Sequence, residues 1–180
     1  FRDIEYCDDG ETVMVGNKKG FVVHYAHDGT QLDKFGTNYD VVQMKMINGQ
    51  CFVMSANGSY HVFDGQAKLV RKGKIHNDIN ASITTIGADA SGEYLFAGSS
   101  EGFVFILNEQ GEELYREKYH INISDTAAAE GSIYFTAISG EIYELSMMGV
   151  VLAGSMQLIT LILSVCGYVL CLAAVILLCM

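Results

Sequence analysis

Through roughly the first 150 residues, apolar and polar side chains alternate in short runs broken at glycines. Four stretches superpose: DGETVMVGNKKGFVVHYAHDGTQL from Asp9, NGQCFVMSANGSYHVFDGQAKL from Asn48, SGEYLFAGSSEGFVFILNEQGEEL from Ser91 and EGSIYFTAISGEIYELSMMGVVL from Glu130. Their leading glycines, Gly10, Gly49, Gly92 and Gly131, are spaced by 39, 43 and 39 residues. Three residues on stand Val13, Phe52, Leu95 and Tyr134, and six on stand the small residues Gly16, Ser55, Gly98 and Ala137. A second glycine follows at Gly20, Gly58, Gly102 and Gly140, and a third at Gly29, Gly65, Gly111 and Gly149.

Alternation with a period of two places one face of a strand in a core and the other in water. Glycines between such runs supply the left-handed backbone that tight turns need. Each unit therefore reads as strands joined by short hairpins. Phe21–Tyr25 and Phe103–Leu107 are second strands of the repeat, and short outer strands end at Leu32, Leu69, Leu114 and Leu152. Val41–Ile47 and Ile79–Ile86 are candidate first strands. Four strands in about 40 residues describe one blade of a β-propeller. The expected fold is all-β: four-stranded antiparallel blades over residues 1–152, followed by one transmembrane helix in 153–180. A β-sandwich is the alternative, but it does not require the same turn glycines every forty residues.

The segment SGEYLFAGSSEGFVFILNEQGEEL resembles the repeats of PQQ-like and WD40-like β-propellers, including the periplasmic assembly-factor type and archaeal surface or membrane proteins. The resemblance covers about residues 8–152. It implies a fold and no particular function, since propellers host many roles. The family's outer-strand tryptophan is missing, and Phe35 and Tyr115 stand near its position. Nothing here resembles the cofactor-stacking surface and metal-binding acids of a quinoprotein enzyme, so the resemblance implies no cofactor. A closed propeller has about four to eight blades. Three full units and most of a fourth are visible, so closure requires blades upstream of Phe1, a partner chain or a very small ring. The non-Met start favours the first.

Charge sharpens the division. Every Lys, Arg, Asp and Glu lies at or before Glu144, so the net charge of −10 belongs to the repeats. Such a surface repels phosphate backbones and excludes a nucleic-acid partner. The uncharged tail contains LITLILSVCGYVLCLAAVILLCM from Leu158, and about 20 apolar residues cross a bilayer core. A single-pass span at about Met156–Leu178 is expected, with Val150–Leu152 left to the last outer strand. Ser164, Gly167, Cys171 and Ala174 fall near one helical face, where small residues admit another helix. Tyr168 lies near mid-membrane, where its hydroxyl needs a partner. These five residues are candidates for helix packing.

No basic residue follows the span, so the positive-inside rule has nothing to count. A span at the chain end favours blades on the cytoplasmic face, while the sequons at Asn57, Asn80 and Asn122 favour the other side. Chemistry-bearing motifs are absent. The five histidines (His24, His27, His61, His76 and His120) lack metal-ligand spacing for strands, the five cysteines form no zinc or disulfide pattern, and Asp8–Asp9 and Asp28 read as turn residues rather than calcium ligands. The expected role is a non-catalytic scaffold that binds a protein partner, with no metal, within a membrane complex. A central-channel enzyme or ligand sensor and a structural cell-surface component are the alternatives.

Overall fold

The structure is a computed structural model that describes residues 1–7, 9–75, 80–129 and 131–147. The chain divides into two units, Phe1–Leu145 and Ser146–Met180. The second lies almost wholly outside the described residues. So do the expected span, the five packing candidates Ser164, Gly167, Tyr168, Cys171 and Ala174, and the outer strand at Val150–Leu152. Among the described residues no helix is long and apolar enough to cross a membrane.

The first unit is all-β. Sheet one contains β1 (Asp3–Tyr6), β2 (Thr12–Gly16), β3 (Phe21–Ala26) and β4 (Gln31–Gly36). Sheet two contains β5 (Val41–Ile47), β6 (Gln50–Ser55), β7 (Ser59–Phe63) and β8 (Leu69–Lys74). Sheet three contains β9 (Ile83–Ala88), β10 (Tyr94–Ser99), β11 (Phe103–Asn108) and β12 (Glu113–Lys118). Sheet four shows β13 (Ile123–Ala129), β14 (Ser132–Ala137) and β15 (Ile142–Ser146). Each sheet is an antiparallel meander in chain order.

The hairpins form where the turn chemistry demands them. Asn48 and Gly49 both hold positive φ, 47° and 76°, between the paired residues Ile47 and Gln50. This is the two-residue turn whose twist matches its strands. At the third hairpin, register aligns Tyr25, Phe63 and Leu107, which makes Ala67 the counterpart of Gly29 and Gly111. The left-handed residue there is accordingly Ala67 (φ 60°) and not Gly65. Its methyl group is buried in the core between sheets one and two, which offsets a backbone cost of about 1–2 kcal/mol.

Two further expectations change. The outer strands begin near Leu32, Leu69 and Leu114 and continue past them, ending at Gly36, Lys74 and Lys118. Both faces of these strands are largely wet, so no apolar alternation marks them. Their charges, such as Lys34, Arg71 and Glu117, keep an exposed edge from recruiting another strand. The repeat alignment also shifts by one. Pairing places Gly16 opposite Asp3, Met54 opposite Gln43, Gly98 opposite Thr85 and Thr136 opposite Asp125. Gly16 thus corresponds to Met54 and Thr136, not to Ser55 and Ala137. First hairpins of unequal length cause the slip.

Successive sheets pack in order. Met14 and Val22 of sheet one join Met44, Val53 and Phe63 of sheet two in one core cluster. Phe52 and Val62, on the other face of sheet two, join Ile86, Leu95 and Phe105 of sheet three. Val104 of sheet three joins Ile123 and Phe135 of sheet four. The first strands β1, β5, β9 and β13 are neighbours in that sequence. Among the described residues the series does not close into a ring.

Candidate functional site

Polar side chains converge along the line of first strands. Asp3 Oδ2 accepts the Met44 backbone N–H at 2.7 Å. One sheet further, Gln43 Oε1 accepts the Ile86 N–H at 2.9 Å. Asp3, Gln43, Thr85 and Asp125 are the aligned residues of β1, β5, β9 and β13, spaced by 40, 42 and 40 positions. Thr85 Oγ1 lies 3.1 Å from both Gln43 Oε1 and Asp125 Oδ1, and 3.2 Å from Thr126 Oγ1. A hydroxyl carries one proton, so Thr85 serves one carbonyl or carboxylate acceptor at a time while Thr126 donates to it. Thr84 Oγ1, in the bulge beside it, reaches Ile123 O at 2.7 Å and so links sheets three and four.

This ladder adds side-chain links to the backbone bonds by which Val41 N–H reaches Asn17 O at 3.1 Å and Ile83 N–H reaches Ala56 O at 2.8 Å. Its oxygens are mostly engaged, by backbone N–H groups at Asp3 and by both backbone and side-chain donors from Gln43 to Asp125. Glu5, further along β1, is shifted by its surroundings. Burial pushes its carboxyl up; Lys45 pulls it down and Asp3 adds to the rise.

The junctions are close. A Cβ on Gly16 would lie 2.5 Å from Val41 Cγ1, and one on the aligned Gly98 would lie 2.5 Å from Ile123 Cγ2. At these two positions glycine lets the next sheet's first strand approach. Phe35 meets Phe63 across the same junction, with ring centroids 4.9 Å apart. Tyr115 instead bonds Glu117.

The residues weighed for chemistry lie apart. His24 is buried, with Nε2 lacking a hydrogen-bond partner. His61 is held below the usual imidazole range by burial and by Lys72. His27 and His120 are exposed, and His76 lies outside the described residues. Among the described residues no group of three or more His, Cys, Asp or Glu side chains could hold a metal. Cys7 and Cys51 are buried thiols, and burial pushes the Cys51 thiol far up, away from reactivity. Asp9 and Asp28 act in turns: Asp9 Oδ1 accepts the N–H groups of Glu11 and Thr12 at 2.9 Å each, and Asp28 Oδ1 accepts that of Thr30 at 2.8 Å. The sequon residue Asn57 likewise accepts the Ser59 N–H at 3.1 Å.

A cleft of about 400 Å³ opens beside the ladder, where Lys45, Asn48, Asp89 and Thr126 meet its rim. The ladder was not visible in the sequence as a motif. Its members differ in type, and only their recurrence at the repeat period, one residue off the glycine alignment, marks them.

The described residues thus form an all-β array of repeated antiparallel meanders. No protein-family profile and no curated protein matches the chain. Among solved structures it is similar to the crystal structure of Saccharomyces cerevisiae Sqt1, with a TM-score of 0.70 and 12% identity over 80% of this chain and 45% of that one. It is also similar to the computationally designed Ika4 protein, with a TM-score of 0.67 and 13% identity over 81% of this chain and 89% of that one. The chain therefore spans less than half the length of the Sqt1 chain it matches. At such identities the likeness is one of fold alone.

Proposed function

We propose that residues 1–152 form an arc of a β-propeller, tethered to a membrane by the apolar tail, and that the chain serves as a non-catalytic protein-binding subunit of a membrane complex. One observation carries the reading: the polar side chains along the first strands make hydrogen bonds to the backbone and side chains of the next sheet. Groups committed to joining blades are poorly placed to bind and turn over a small molecule. The working surface is then the loops at the blade ends, where rigid strands hold variable backbone. The acidic surface favours a partner with basic character and disfavours nucleic acid. The uncharged stretch Leu158–Met180 supports the tether.

The tether is tested by fractionation of the full chain from cells. It is expected to stay with membranes through high salt and alkaline carbonate and to leave them in detergent. Release by salt or carbonate alone would contradict the anchor. The binding role is tested by native electrophoresis of detergent extracts, where the chain should migrate in a defined assembly with another protein. Migration only by itself would contradict the scaffold reading.

A further inference from the structure

Along the first strands, acceptor side chains of one sheet serve backbone N–H groups of the next. Asp3 takes the N–H of Met44, and Gln43 that of Ile86. Two residues on stands the next rung, formed by the aligned residues Glu5, Lys45, Gly87 and Ala127. Burial raises the pKa of Glu5, Lys45 lowers it, Asp3 raises it, and the Met46 N–H, as a hydrogen-bond donor, lowers it. Glu5 thus stands to Met46 as Asp3 does to Met44.

The junction of sheets two and three breaks this pattern. Backbone N–H groups two residues apart point to the same edge of a strand. The Ala88 N–H therefore points where that of Ile86 does, toward sheet two. Its neighbour Asp89 turns to the other edge, its N–H bonding Tyr94 O at 3.1 Å. The residue placed to serve Ala88 is Lys45, whose ammonium donates hydrogen bonds and accepts none. A cation and a backbone donor thus stand side by side, where the junction before has a carboxylate and a donor. The cleft of about 400 Å³ opens at this point, and both Lys45 and Ala88 line it. Gly87 and Ala127, which hold the rung in sheets three and four, crowd it with no more than a methyl group.

We propose that this cleft binds a small monocarboxylate, one carboxylate oxygen accepting the Ala88 N–H beside the Lys45 ammonium and a short apolar tail lying against Met46, Ile47 and Ala127. A charged acceptor on a cation and an N–H makes the stronger class of hydrogen bond. The acids nearby limit the ligand to one charge. Asp89 spends its oxygens on its own turn, Oδ1 holding the Tyr94 N–H at 2.8 Å and Oδ2 holding both the N–H and the hydroxyl of Ser91. It and Glu5 would repel a second carboxylate. The volume lies at the small end of ligand sites, which suits a chain of a few carbons. The inference goes beyond the proposed function and needs neither the tether nor a protein partner.

The test titrates sodium butyrate into the full chain, labelled with heavy nitrogen and held in detergent micelles, and follows the amide signals by nuclear magnetic resonance. Sodium chloride at matched ionic strength and neutral butyramide are the controls. The Ala88 amide proton should move downfield and saturate with butyrate, and should move little with either control. Lys45→Met should weaken binding by about tenfold or more. Lys45→Gln supplies an acceptor, as Gln43 does for Ile86. Its Ala88 amide should stand downfield with no butyrate present and should no longer respond to it. An Ala88 signal that butyrate leaves in place overturns the proposal, and so does an equal response to chloride. Binding that either variant leaves unchanged overturns it too, because the rung would then not form the site. Should a variant fail to fold, seen as loss of amide dispersion, the wild-type titration with its controls decides alone.

Discussion

Carboxylates in the turns carry part of the stability of this chain as well as its charge. The backbone N–H of Glu11 and the hydroxyl and N–H of Thr12 hold Asp9 below the usual carboxylate range, and Thr30 does the same for Asp28. At Asp89 burial pushes upward, but hydrogen bonds from Ser91 and Tyr94 outweigh it. A carboxyl with a depressed folded pKa contributes stability above its unfolded value of about 3.9, and the contribution is lost as pH falls through the folded value. Urea midpoints should therefore fall steeply below about pH 4, and less steeply in Asp28→Asn. Glu5 runs the other way. Its raised pKa means that ionisation opposes folding, so Glu5→Gln should raise the midpoint at pH 7 and leave it unchanged well below pH 4. A drop at pH 7 would contradict the burial argument. Gly98 tests packing at the same scale. Its φ is not positive, so Gly98→Ala probes the close approach of Ile123 and Thr85 and should cost about 1–3 kcal/mol in urea unfolding.

At the scale of strands and sheets, stability depends on how each sheet meets the next. Gln43 is the sharpest probe, since its carbonyl is the acceptor for the N–H of buried Ile86. Gln43→Leu should destabilise by about 1–3 kcal/mol, because it orphans a buried donor. Gln43→Glu keeps the acceptor and should cost less. Equal losses in both variants would show that the amide does not bond across the junction. Legibility in the sequence followed the same lines. Strands such as Val41–Ile47, whose bounds match the alternating run, were readable because one face is buried on a neighbour. The outer strands were misplaced, as at Leu69–Lys74, because water on both faces removes the alternation. Asp3, Gln43, Thr85 and Asp125 escaped notice because a ladder of mixed residue types has no composition signature and becomes visible only once the registers are known.

Across the described array, sheets two and three each bury one face on the sheet before and the other on the sheet after. The proposed membrane attachment and binding role build on that order without defining it. Methyl-to-methyl nuclear Overhauser contacts in the full chain, labelled at Ile, Leu, Val, Met and Ala, test the order most directly. Contacts are predicted between Val22 and Met44, between Val62 and Leu107 and between Val104 and Ile123, linking sheet one to two, two to three and three to four. Contacts joining Met14 or Val22 to the core of sheet three, as two sheets of a sandwich folded face to face would give, would contradict it.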